Sequence, residues 1–285
     1  MSRIAYVNGR YLPHNHAAVS IEDRGFQFAD GVYEVCEVRG GRLIDERRHV
    51  TRLERSLREL RMALPMPLAA LKVVLRETVR RNRVHDGIVY LQVTRGAAAR
   101  DFPFPPDGTP PTIVVTARGN DPAKLARTAE EGIAVVTMPD IRWQRVDIKS
   151  VALLPNVLAK QAARDKGARE AWLVDARGYV TEGGSSNAWI LTREGVLVTR
   201  PLGTDILPGV TRSVVLNVLA AKKLRLEERA FTVEEAYAAQ EAFVTSASQI
   251  VMPVVRIDGR PVGTGRPGQI AMGLRRDFYA HAEST

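Results

Sequence analysis

Seven lysines, at positions 72, 124, 149, 160, 166, 222 and 223, stand against 34 arginines, so a catalytic amine has few candidates in this chain. An amine works either as a nucleophile or as a proton carrier, and both uses near neutral pH need a lowered pKa. Lys149 has the best surroundings. Arg145, Asp147 and Ser150 flank it, and the stretch VALLPNVLAKQ that follows reads as a helix whose positive N-terminal end favours a neutral amine. Taken alone, it reads as a solvated surface lysine. Lys160 competes from 11 residues further on, but it lies in the polar run AKQAARDK, which reads as an exposed helix face. Among the acids, Glu182 stands between a strand-like YVTE and Gly183-Gly184, a position that by itself also suits a turn glutamate. Arg52, in RHVTRL, has His49, Thr51 and Glu54 nearby and by itself reads as an ordinary helix charge. Val210 and Thr211 follow Gly209 at the start of a helical pattern, where backbone N–H groups can bind phosphate.

The elements that must hold these residues follow from periodicity. IAYVNGRYL reads as two strands around Asn8-Gly9, and GVYEVCEVRGGRLIDE as a hairpin around Gly40-Gly41. Leu53, Leu57 and Leu60 recur at helical spacing, and a second helix is predicted over Leu68–Arg81, just after Pro65 and Pro67. GIVYLQVTRG and TIVVTAR read as strands, with a proline-rich loop from Pro103 to Pro111 between them. Around Gly119-Asn120-Asp121-Pro122 the pattern breaks into a polar stretch through Glu131, the best domain boundary. Beyond it come the strand GIAVVTM, a helix ended by Gly167, three strands across AWLVDARGYVTE and NAWILTREGVLVT, and a helix over Thr211–Lys223. Thr232 then caps another helix, and strands follow in FVTSAS and VMPVVRIDGRPVG.

Composition removes whole classes. With 285 residues, 45% of them hydrophobic and 26% charged, the chain is long enough for two domains or one large α/β unit. The net charge of +9 comes from arginines spread along the chain among acids, without the clustered, aromatic-flanked face of a nucleic-acid reader. No apolar run approaches the roughly 20 residues of a membrane span. The opening MSRIAYVNGRYLPHNH lacks a signal peptide's apolar stretch, and Cys36 has no partner cysteine; the expectation is a cytoplasmic protein. The five histidines lack zinc-site spacing, and neither a Walker loop nor a G-x-S-x-G elbow is present. Gly263-Thr-Gly-Arg-Pro-Gly268 formally matches a dinucleotide loop, but Pro267 sits inside it and only 17 residues follow; it reads as a hairpin-to-helix connection.

Three segments stand out together: RHVTRL (48–53), RWQRVDIKSVALLPNVLAKQ (142–161) and YVTEGGSSNAW (179–189). With GFQFADGVYEV, LQVTRG, LPGVTR and EAFVTSAS they resemble the fold-type IV pyridoxal-phosphate enzymes over almost the whole chain. That family includes D-amino-acid aminotransferases, branched-chain aminotransferases and aminodeoxychorismate lyases. The pairing of DIKS…NVLAKQ with VTEG…SN about twenty residues later is its most specific element.

The resemblance implies an α/β (α+β) enzyme of two domains, an N-terminal α/β domain over 1–119 and a C-terminal α/β pseudo-barrel over 125–285 that carries the cofactor lysine. It implies pyridoxal 5′-phosphate held between the domains and a homodimer completing the pocket. Lys149 in DIKS would be the imine lysine and proton carrier, and Glu182 the partner of the pyridine nitrogen. Ser185 and Asn187 would support the ring, while Arg52, Val210, Thr211 and Ser248 would hold the phosphate. Tyr33 and Arg100 match positions that bind the substrate α-carboxylate in D-amino-acid aminotransferases. Phe102 stands where the best-known members have a histidine, so the carboxylate clamp is thinner here. The implied reaction is D-alanine plus 2-oxoglutarate giving pyruvate and D-glutamate. A branched-chain L-amino-acid aminotransferase, an aminodeoxychorismate lyase and a non-catalytic basic binding module are the alternatives. Its partners would be small amino acids and 2-oxo acids, with no metal, nucleic acid or membrane.

Overall fold

The computed structural model describes residues 3–285, and the chain divides into two compact units. The first comprises the residues up to Pro122 together with Ile148–Ala152 and Glu283–Thr285. Its elements are β1 (Ile4–Val7), β2 (Arg10–Pro13), α1 (Arg24–Phe28), β3 (Gly31–Arg39), β4 (Arg42–Leu43), α2 (Glu46–Glu59), α3 (Leu68–Arg81), β5 (Gly87–Thr94) and β6 (Thr112–Gly119). The strands form one antiparallel sheet in the order β2-β1-β6-β5-β3-β4. The β1–β2 turn works because Asn8 and Gly9 both accept positive φ, 44° and 90°, which matches the twist of the strands they join. Along β3, Val32, Glu34, Cys36 and Val38 are buried on one face while Tyr33 and Val35 take the other. The apolar stripe of α2 (Val50, Leu53, Leu57) joins Val32, Cys36, Leu75, Val89 and Leu91 in the core. Leu60, expected inside this helix, caps its end instead.

The second unit comprises Ala123–Asp147 and Leu153–Ala282. It is built from α4 (Pro122–Glu131), β7 (Ile133–Pro139), α5 (Leu154–Asp165), β8 (Glu170–Val174), β9 (Val180–Gly183), β10 (Asn187–Leu191) and β11 (Leu197–Thr199). There follow α6 (Val210–Ala221), β12 (Leu226–Glu228), α7 (Val233–Ala238), β13 (Glu241–Ser246), β14 (Ile250–Ile257), β15 (Arg260–Pro261) and α8 (Gln269–His281). Its nine strands run β12-β11-β10-β13-β14-β7-β8-β9, with β15 on β14, in a mixed sheet. β9, at the far end of that path, returns beside β10, which curls the sheet toward a half-barrel. The core is aliphatic around Trp172 and Phe231, and Trp189 stacks on Phe243 at 5.5 Å.

Three departures from the sequence expectations have physical reasons. The polar stretch that the sequence marks as a boundary is helix α4, whose apolar contact with the core is limited to Ala129 and the half-buried Leu125, a stripe too narrow to stand out among its polar residues. Four strands, β8 to β11, occupy the span that reads as three, each only three to five residues long. The family resemblance puts Lys149 in the second domain, but its segment, Ile148–Ala152, belongs to the first unit. Backbone bonds explain this: Tyr33 N–H donates to the Lys149 carbonyl (3.0 Å), Val151 N–H donates to that of Gly31 (3.0 Å), and Ser150 bridges Val32.

Candidate active site

In the first unit, the β3 bonds that capture Ile148–Ala152 bring Lys149 onto the Tyr33 face of the strand. Lys149 Nζ lies 4.1 Å from the centre of the Tyr33 ring, within range of a cation–π contact. Ser56 of α2 supports the segment, its hydroxyl accepting from Lys149 N–H at 3.2 Å. The Tyr90 ring lies tilted beside Tyr33, centres 5.8 Å apart, and burial followed by that neighbour pushes its phenol up to about 12.

On the other face of β3, Glu34 is the hub of a buried network. Arg52 donates to it through Nε and Nη2, both at 2.8 Å, and His49 Nδ1 lies 2.8 Å from the same carboxylate. Burial alone would raise the Glu34 carboxyl, but Arg52 and His49 outweigh it and hold Glu34 far below the usual carboxylate range. Burial lowers His49 below its ordinary pKa, with Glu34 opposing. Arg52 itself is raised although burial works against it. Arg52 is thus a fixed, buried cation on α2 and not the solvated helix charge its local sequence suggests.

The second unit gathers the carboxylate side. Glu182 ends β9 buried and accepts from Asn187 Nδ2 (2.9 Å), Leu207 N–H (3.2 Å) and Arg142 Nη1. Arg142 is forked onto Asp140, Nε to Oδ1 at 2.9 Å and Nη2 to Oδ2 at 2.7 Å. Burial lowers Arg142, but Asp140 and Glu182 together raise it above its ordinary value. Arg142, Asp140 and the first unit's Glu34 are not among the sequence candidates. The signal for Arg142 is its place seven residues before Lys149, in IRWQRVDIK.

Asn187 also donates to the Leu207 carbonyl (2.9 Å) and packs against Gly209, where an added Cβ would fall 2.0 Å from its Oδ1. Gly209 is therefore required by packing, and it caps α6 immediately before the buried Val210 and Thr211. Arg212, also buried, anchors that helix by donating to the Arg200 carbonyl (3.2 Å) and pairing with Glu228. Glu182, Asn187 and the amide end of α6 are thus brought into one neighbourhood.

Other expected residues stand differently. The Ser185 hydroxyl donates to Glu170 (2.8 Å), an acid absent from the sequence reading. Ser248 lies in the turn between β13 and β14. Arg145 is forked onto Asp147 (2.9 and 3.1 Å), so these two residues neutralise one another. Among the described residues, Arg100 contacts the rings of Phe28 (5.1 Å) and Phe102 (5.9 Å), and Phe102 is 78% exposed.

The family model described as Amino-transferase class IV matches residues 31–257. The chain belongs to the class IV aminotransferases. It is 41% identical over 268 residues to a D-alanine aminotransferase of Bacillus licheniformis, covering 94% of this chain and 93% of that one. It is 39% identical to a D-alanine aminotransferase of Staphylococcus haemolyticus, covering 98% of each. Among solved structures, a branched-chain aminotransferase from Thermoproteus uzoniensis with norvaline matches with a TM-score of 0.85 and 25% identity, over 100% of this chain and 99% of that one. The fold is shared by enzymes named for different substrates, so side chains must decide the substrate.

Proposed function

We propose that this aminotransferase acts on D-amino acids with pyridoxal 5′-phosphate, exchanging the amino group of D-alanine for the oxo group of 2-oxoglutarate to give pyruvate and D-glutamate. The observation that carries the reading is the Lys149 amine seated over the Tyr33 ring in the first unit, in a chain 41% and 39% identical to two D-alanine aminotransferases along nearly all its length. The residues fit the cofactor in kind: an amine, a buried carboxylate among donors, a buried guanidinium and the amide end of a helix. Bound pyridoxal phosphate supplies an aldehyde that holds amines covalently and a ring that accepts electron density from the carbon losing its proton.

In this reading Lys149 Nζ would hold the cofactor, be freed when the substrate amine takes its place, and carry the proton from the substrate Cα to C4′ of the cofactor; the second half of the cycle runs the same transfer in reverse. Glu182 holds a proton at the ring nitrogen, and Asn187 keeps its carboxylate in place. Arg52 and the backbone amides of Val210 and Thr211 bind the phosphate, with Ser248 beside them and Ser185 near the ring. Tyr33 and Arg100 hold the substrate α-carboxylate, and the apolar Phe102 makes that clamp weaker than a histidine there would.

The decisive experiment incubates the holoenzyme with D- and L-alanine, D- and L-glutamate and L-leucine while following the absorbance of the bound cofactor. D-alanine and D-glutamate should change it. A response to L-leucine with none to D-alanine would replace this reading with a branched-chain L-amino-acid aminotransferase.

We also infer a homodimer working in the cytoplasm. Leu154, Val157 and Leu158 leave an exposed apolar face on α5 (68%, 58% and 54%), and Ile21 and Phe26 do the same in the first unit. The lone, buried Cys36 suits a reducing compartment. Light scattering on the purified protein would return the mass of two chains; a single-chain mass would remove the dimer.

A further inference from the structure

The runs NVLAKQ and VTEGGSSN are separated in the chain, yet in the second unit they touch through side chains. Asn156 and Lys160 lie four residues apart on α5 and so share a face. Asn156 Nδ2 donates to the Gly184 carbonyl at 2.9 Å. Lys160 Nζ pairs with Glu170 Oε1 at 3.0 Å and donates to the Arg169 carbonyl at 2.9 Å. The other oxygen of Glu170 accepts from Ser185 Oγ (2.8 Å) and Ser186 Oγ (3.1 Å), and Glu170 itself is 3% exposed. The sequence places Lys160 on an exposed face; its side chain is 34% exposed, because its end is drawn into this pair.

The Gly-Gly of the turn answers the same contact. A Cβ on Gly184 would lie 3.1 Å from Lys160 Cδ and 3.2 Å from Glu170 Oε1, and one on Gly183 only 2.3 Å from Ser186 Oγ. Gly184 therefore lies directly against the Lys160–Glu170 pair, where a Cβ would be a tight fit, and at Gly183 a Cβ is excluded by the turn's own Ser186. Its two ends are Glu182 and Asn187, the carboxylate and its amide partner.

We propose that Asn156, Lys160 and Glu170 are positioning residues that clamp the Gly183–Ser186 turn and thereby set where the Glu182 carboxylate sits. This rests on the reading of Glu182 as the ring-nitrogen partner. A buried Glu170 holds both serine hydroxyls only while its charge is balanced, and Lys160 is the cation that balances it. The clamp accounts physically for the pairing of the two motifs: one supplies the face against which the other is shaped.

The test has two arms. In the protein without cofactor, amide hydrogen exchange across 180–190 is compared for wild type, Lys160→Met, Lys160→Arg and Asn156→Ala. The Met and Ala variants should exchange about tenfold faster in the turn with the rest of the second unit unchanged, and Arg should restore protection. In the holoenzyme, Lys160→Met should lower kcat about tenfold or more with KM for the amino acid nearly unchanged, and should move the pH profile of the bound cofactor's absorbance. Unchanged exchange in the turn, or protection lost throughout the unit, overturns the clamp. A loosened turn with unchanged kcat and absorbance overturns the positioning role, and Glu182→Gln assayed alongside shows separately whether the ring-nitrogen reading has failed.

Discussion

Each unit buries an arginine against carboxylates, and the two networks are built in opposite senses. In the first, the acid Glu34 is the hub and fixes Arg52 and His49. In the second, the cation Arg142 is the hub and joins Asp140 to Glu182. A buried charge is costly unless a fixed partner of opposite sign stands behind it. In the proposed reading, the acid behind Arg52 keeps a cation ready for an anionic ligand group, and the guanidinium behind Glu182 keeps an anion ready for a ring nitrogen. The difference also separates their pH behaviour. Only the first network contains a histidine, a group that titrates near neutrality.

Neither network supplies an amine, so the largest expected effect lies outside both. Lys149→Ala should bring turnover below detection, and after borohydride reduction of the wild-type holoenzyme the pyridoxyl label should be found on Lys149. Finding it on Lys160 would reverse the assignment of the two lysines.

Glu182→Gln comes next, since it removes the anion at one end of the second network. Loss of a charge-assisted contact of about 2–4 kcal/mol corresponds to about 30- to 1000-fold in kcat. The variant should still fold and bind cofactor, and wild-type turnover would detach Glu182 from the ring nitrogen.

The two networks also separate in stability when one acid is removed from each. Glu34→Gln leaves Arg52 buried without its acid and should cost about 3–5 kcal/mol in urea unfolding followed by circular dichroism. Asp140→Asn should cost less, about 1–3 kcal/mol, because Arg142 keeps its pairing with Glu182. Equal losses would erase the distinction between acid hub and cation hub.

The smallest effect concerns acid. His49 is lowered below its ordinary pKa in the folded chain, so the unfolded chain binds that proton first. Its contribution is complete above the ordinary histidine pKa and is lost as pH falls below it. Glu34, also lowered, contributes above the ordinary carboxylate range, and that stability is lost only at lower pH. Between about pH 7 and 5.5 the melting temperature of the first unit should fall in wild type and fall less in His49→Gln. An identical fall in both would show that His49 does not set the acid response.

Much of the architecture was legible because it rests on local pattern. The helix over Leu68–Arg81 occupies the predicted span, since prolines end the loop before it and its apolar residues keep helical spacing. Thr232 caps α7, and Glu235 completes a capping box three residues on. Helix α4 was not legible, because its stripe is only Leu125 and Ala129, too narrow to stand out among polar residues. Among the proposed site residues, Lys149 and Glu182 were singled out by their flanks and by the family's motifs. Their supports were not. Glu34 and Arg52 are 18 residues apart, Arg142 and Glu182 are 40 apart, and Lys160 and Glu170 sit on different elements.

Short-range rules of periodicity, capping and turn chemistry act within about one helical turn, so the order of residues was enough to place most of the elements, and the family's motifs nominated Lys149 and Glu182. Which unit Lys149 belongs to, which charge stands behind each arginine, and what lies against Gly184 were decided only by chain segments meeting in space. Those meetings depend on burial and on the pairing of charges far apart in sequence, and no local pattern encodes them.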